Sequence, residues 1–139
     1  MKVIVFVKAT ADSEAAGAMP DAEMLTAMGK FNDSLRNAGI LLAAEGLKAS
    51  RFGKRVHFSG KTRTVTDGPF AETKELVAGF WIWQVRSIEE AIEWVKRCPN
   101  PMLVDSDIDI RPIEDFGRND DTHLKATEAE QRLKTNTRN

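Results

Sequence analysis

The sequence predicts an α+β domain of order β-α-β-(hairpin)-β-α-β, a split or ferredoxin-like plan. Three observations lead there. Lys2–Lys8 and Leu76–Val85 are short runs dominated by β-branched and aromatic residues, each leading towards a segment with helical spacing. Gly60-Lys61, flanked by Val56–Ser59 and Thr62–Thr66, has the form of a hairpin turn between the two halves. The chain has 139 residues, 42% apolar and 29% charged, which suits one domain with its own core and is too short for two.

Each element has a local reason. Val3, Ile4, Val5, Phe6 and Val7 form an unbroken apolar run, expected as a strand buried on both faces. Thr10–Met19 is polar and Ala-rich and reads as a loop. Pro20 suits a first helical turn, and Asp21 and Glu23 favour the positive end of the helix dipole. Met24, Met28, Phe31, Leu35 and Ala38 fall on one helix face, and Gly39 is the expected stop. Ile40–Ala44 is a second apolar run ending at Glu45-Gly46-Leu47. Leu76–Val85 is the strongest strand, and Gly79 within it predicts a bulge or a close backbone contact. Trp81 and Trp83 share one face of that strand, as core, as a sheet-to-sheet interface or as the wall of an apolar pocket.

Ser87-Ile88-Glu89-Glu90 predicts a capping box, and Pro99 and Pro101 end the helix that follows. Ser106–Ile113 alternates as a half-buried strand. Residues 1–116 form the domain in this reading. Residues 117–139 form a charged C-terminal extension in which Leu124–Lys134 could make one charged helix. Removing Asp120–Asn139 is expected to leave the fold intact. Two helices cover only one side of such a sheet. Exposed apolar faces are uncommon on monomers, so a two-fold homodimer with sheets facing each other is expected.

Several function classes drop out. A net charge of −1 supplies no general basic field for a polyanion. Arg51-Phe52-Gly53-Lys54-Arg55-Val56-His57-Phe58 meets only the first and the last two positions of an RNA-recognition strand, so no nucleic acid is expected as partner. The single cysteine excludes an internal disulfide framework and a cysteine-based zinc site. Cys98 follows the end of a helix, where the dipole disfavours a thiolate. Asp105, Asp107 and Asp109 imitate a calcium loop, but Ile110 and Phe116 stand where glycine and glutamate are needed. His57 and His123 are too separated to make a metal site alone, and neither metal nor cofactor is expected. Leu76–Trp83 is far below the ~18 apolar residues of a membrane span. The apolar run between Lys2 and Lys8 is too short for a signal peptide, so no membrane and a cytoplasmic location are expected.

Asp67-Gly68-Pro69-Phe70-Ala71-Glu72-Thr73-Lys74-Glu75 is not an ordinary hairpin connection. Pro69 fits either a cis type VI turn starting at Asp67 or a type I turn over Gly68–Ala71. Asp67 is expected to hold the turn by accepting backbone N–H groups two or three residues on. Carboxylates bordering both water and a dry interior are candidates for proton transfer. Asp67, Glu72 and Lys74 are therefore the candidate catalytic groups, with Glu72 the proton-transfer group and Lys74 the partner of an anion. Glu45, Phe70 and Trp81 are the candidate ligand-binding residues.

That nine-residue string resembles the signature of the YCII-related, or DGPF-domain, family. Glu45-Gly46-Leu47, the Val7-Lys8-Ala9 strand end and Ala91-Ile92-Glu93-Trp94 also fit it. The resemblance implies a ferredoxin-like dimeric α+β barrel. Related barrels include isomerases, monooxygenases and dehydrochlorinase-like enzymes of small, often cyclic molecules. YCII proteins proper are thought to use a His–Asp pair, whereas no histidine lies near the N-terminal strand here. Members also occur beside or fused to sigma factors. Two functions follow as expectations. One is an acid–base enzyme, lyase- or isomerase-like, on a small cyclic substrate. The other is a non-catalytic ligand-binding or regulatory module, with a link to sigma-factor signalling.

Overall fold

The structure is a computed structural model and describes residues 1–15, 17–71 and 75–116. Its elements are β1 (Lys2–Lys8), α1 (Ala11–Glu14), α2 (Ala22–Asn37), β2 (Leu41–Gly46), a 3-10 turn (Ser50–Phe52), β3 (Lys54–Ser59), β4 (Thr62–Asp67), β5 (Val77–Gln84), α3 (Ile88–Lys96) and β6 (Ile108–Pro112). Four strands form one sheet in the order β2-β5-β1-β6, with every neighbour antiparallel. This is the ferredoxin-like α+β plan, with the β3–β4 hairpin inserted as a separate two-stranded sheet.

The core lies on one side of the main sheet. Val3, Val5 and Val7 of β1 alternate inward, opposite Trp83, Trp81 and Gly79 of β5. Phe31 and Leu35 of α2 and Ala91 of α3 cover them. Trp81 and Trp83 therefore belong to the covered face. Their ring centroids are 5.6 Å apart, and Phe31 meets Trp81 edge-on at 5.9 Å. The opposite face carries Ile4, Phe6, Phe80 and Ile82, which are only half-buried. β1 is thus not buried on both faces. An unbroken apolar run gives the strand, but the described helices reach only one side of it.

Local chemistry explains most boundaries. Asp21 Oδ1 accepts from the Met24 N–H at 2.6 Å and starts α2, so Pro20 precedes the cap and does not sit inside the first turn. Gly39, at φ 73°, ends that helix in the left-handed region that glycine tolerates best. Gly60, at φ 56°, does the same for the β3–β4 turn. A Cβ on the buried Gly79 would lie 3.0 Å from the Glu45 carbonyl oxygen, so the expected close backbone contact is present.

Two further expectations are corrected. Thr10–Met19 is not all loop, because Thr10 and Ser13 form a reciprocal capping box that starts α1. At α3, Ser87 Oγ accepts from the Glu90 N–H, but the Glu90 carboxylate takes the Arg86 N–H and, at 2.7 Å, Arg86 Nε. Its hydrogen bonds with Arg86 hold that carboxyl below the usual range. Among the described residues no helix is long and apolar enough to cross a membrane. The suggested helix Leu124–Lys134 lies outside the described residues.

Candidate functional site

α1 and the first half of α2 stand away from the ends of β2 and β5, and the gap is a cavity of about 720 Å³. Pro101, Met102 and Leu103, from the α3–β6 connection, close another part of its wall. The lining is mostly apolar. It includes Val7, Ala44, Ala78, Trp81, and Met19, Met24, Met28 and Met102. The chain has five methionines, so four of them gather here. Unbranched thioether side chains repack around ligands of different shape.

A few polar groups interrupt that lining. Asn32 Oδ1 accepts from Trp81 Nε1 at 2.9 Å. An indole N–H can only donate, so this bond fixes which end of the amide is oxygen. The Asn32 NH₂ is left with no hydrogen bond among the described residues. Asp12, Glu14, Asp21 and Glu45 also line the cavity, against one cation, Lys48. Asp21 is committed to the start of α2 and Glu14 to Ser50, whose N–H donates at 2.8 Å and whose hydroxyl makes a second, shorter bond. The carboxylates of Asp12 and Glu45 have no hydrogen bond or ion pair among the described residues. Thr10 Oγ1 donates to Met102 Sδ at 3.6 Å and joins α1 to the far wall.

The described part of the Asp67–Glu75 loop, Asp67–Ala71 and Glu75, reaches this cavity only indirectly. Phe70 N–H donates to Ser50 Oγ at 3.0 Å, and Ser50 in turn holds Glu14. Gly68 N–H donates to the Gly53 carbonyl at 3.0 Å. Gly68 packs so closely that a Cβ there would lie 1.8 Å from the Ser50 carbonyl oxygen. The Gly68-Pro69 bond is cis. Asp67 does not hold this turn as expected. Pro69 has no N–H, the Phe70 N–H is taken by Ser50, and the Asp67 carboxylate instead meets Lys54 Nζ at 2.6 Å in solvent. The Phe70 ring lies under the Arg55 guanidinium, 4.1 Å from its centroid.

Of the residues singled out from sequence, Glu45 and Trp81 meet at the cavity. Asp67 and Phe70 are not among its lining residues, and Glu72 and Lys74 lie outside the described residues. Sequence reasoning missed Asn32, Glu14 and Ser50. Asn32 stands in Asn32-Asp33-Ser34, which fits a glycosylation acceptor and gives no sign of a ligand site, and Glu14 and Ser50 are 36 residues apart. Met24 and Met28 were visible as a helix face, but as core. Cys98 is not at the cavity; burial pushes its thiol up to about 12, which agrees with a packing role. His57 lies on the exposed hairpin. No group of three metal-ligating side chains occurs among the described residues.

The model of the YCII-related domain family matches residues 1–116. The chain belongs to that family. The YCII-related domain thus spans every described element, cavity and loop included. A similar curated protein is an uncharacterized protein of Rhizobium meliloti (strain 1021), 37% identical over 57 residues. The match covers 41% of this chain and 45% of that protein, so the chain spans less than half the length of the relative.

Proposed function

We propose that this YCII-related domain binds a small, mostly apolar molecule in the α1–α2 cavity, in the cytoplasm and as a homodimer joined through the half-buried sheet face. The observation that carries the binding site is a space of about 720 Å³ walled by Trp81 and four methionines, with the Asn32 amide fixed at its edge. Small-molecule sites have this character, a concave apolar body with a few set polar groups, at roughly 300–1,000 Å³. In this account the Asp67–Glu75 loop is a positioning element. It sets Ser50, Ser50 sets Glu14, and Glu14 fixes the end of α1 against the cavity.

A second reading makes the same pocket an acid–base enzyme on a small cyclic substrate. It is supported by the Asp12 and Glu45 carboxylates, which line the cavity without a partner among the described residues. Glu72 as proton-transfer group and Lys74 as anion partner belong to this reading.

Filling the cavity tests the site. Met28 is half-buried on α2 and lines it, so Met28→Trp should occupy the space a ligand needs. In a thermal-shift screen of small cyclic and aromatic compounds, binders should raise the melting temperature of the natural chain and not that of Met28→Trp. Equal shifts in both proteins, or none in either, would contradict a ligand site here.

A further inference from the structure

The β3–β4 hairpin meets the domain that carries it mainly at its base, where Arg55 stacks on Phe70. All twelve residues of its two strands are exposed. A lone two-stranded hairpin is marginal in water and needs a third strand or a packed face. One face is also apolar where it should be wet. Val56 is paired directly with Val65, and Phe58 lies two residues along the same face. Their exposures are 48%, 63% and 66%.

Charge indicates what covers this face. The hairpin carries Lys54, Arg55, Lys61 and Arg63 against Asp67 alone. The opposite balance occurs at the far edge of the main sheet. There β6 and its flanks carry Asp105, Asp107, Asp109 and Glu114 against Arg111 and against Lys8 of β1, which pairs with Asp109 at 3.6 Å. The five side chains on β6 and its flanks are exposed, and β6 is an edge strand that pairs only with β1 among the described residues. Unpaired strand edges are templates for another strand. Within one chain the hairpin is not seated on this edge, since both of its strands stay exposed. A second copy brings the cationic arm and the acidic edge together, and a two-fold axis does so twice.

We propose that the β3–β4 hairpin is an intermolecular arm that seats on the acidic β6 edge of a second copy of this chain. Val56, Phe58 and Val65 supply the apolar contact, and Lys61 and Arg63 face the partner copy's acidic flank. This contact is additional to the sheet face, and it does not depend on the cavity's holding a ligand.

Sedimentation equilibrium of the full chain tests it. Lys61→Glu with Arg63→Glu should raise the dimer dissociation constant at least about tenfold at low salt, and Asp105→Lys with Asp107→Lys should do the same. All four substitutions together swap both surfaces and should restore dimerisation to near the natural value. Urea midpoints check that each variant is folded. An unchanged constant would overturn the proposal, as expected for a dimer held by the sheet face alone. Weakening that the four-fold variant does not repair would also overturn it, and would assign the arm to residues 117–139 or to a different partner. A monomeric natural chain would do so as well.

Discussion

Gly68→Ala is expected to undock the Asp67–Glu75 loop and to lower stability by about 3 kcal/mol. The cause is steric and local. The added Cβ would lie 1.8 Å from the Ser50 carbonyl oxygen and 2.6 Å from the Ser50 carbonyl carbon. Those are backbone atoms of the 3-10 turn and cannot rotate aside as a side chain would. Moving the loop outward breaks the Gly68–Gly53 bond and the Phe70–Ser50 bond, and so loosens the Ser50–Glu14 contact. Gly46→Ala is the control, because a Cβ there meets nothing within 4 Å. Urea unfolding should show a lower midpoint for Gly68→Ala and a midpoint near the natural value for Gly46→Ala. Equal midpoints for Gly68→Ala and the natural chain would mean that the loop is not docked on Ser50.

Trp81→Ala should cost more, about 3–5 kcal/mol, as for other large-to-small changes in a core. Trp81 is 5% exposed and packs against Phe31 and Trp83. Its loss would join the cavity to the space vacated in the core and leave Asn32 Oδ1 without its donor. Trp81→Phe separates the two contributions. It keeps most of the aromatic packing but removes the N–H together with part of the indole ring, so it should cost about 1–2 kcal/mol, a lost hydrogen bond plus a small void. Trp83 is fully buried and its Nε1 has no partner among the described residues, so Trp83→Phe removes no hydrogen bond and should cost less than Trp81→Phe. Thermal unfolding of the three variants checks this order. A Trp83→Phe that is the more damaging of the two phenylalanine variants would contradict it.

Much of the fold was legible because it is local. The four-three spacing of Met24, Met28, Phe31 and Leu35 gave α2, and Gly60-Lys61 between two short runs gave the hairpin. The burial of β1 was misread because an apolar run records affinity for a dry surface without saying which face is covered. α1 was missed because four residues are too short for periodicity, although Thr10 and Ser13 are cap formers. The unusual loop was legible as unusual, from Gly68-Pro69. What holds it was not, because Ser50 and Phe70 are 20 residues apart and their contact exists only after folding. The cavity was illegible for a related reason. Its wall joins α1, α2, two strand ends and Pro101–Leu103, and methionine on a helix face looks the same whether it fills a core or lines a space.

The central claim is that a small molecule occupies the space between α1, α2 and the ends of β2 and β5. Methyl NMR of the full chain with ¹³C-labelled methionine tests it most directly. The five methyl groups divide into Met19, Met24, Met28 and Met102 at the cavity and Met1 outside it. Titration with a compound that raises the melting temperature should shift or broaden the cavity signals and leave Met1 in place. A compound that stabilises the protein while leaving Met24, Met28 and Met102 unmoved, or that moves Met1 alone, would contradict the account.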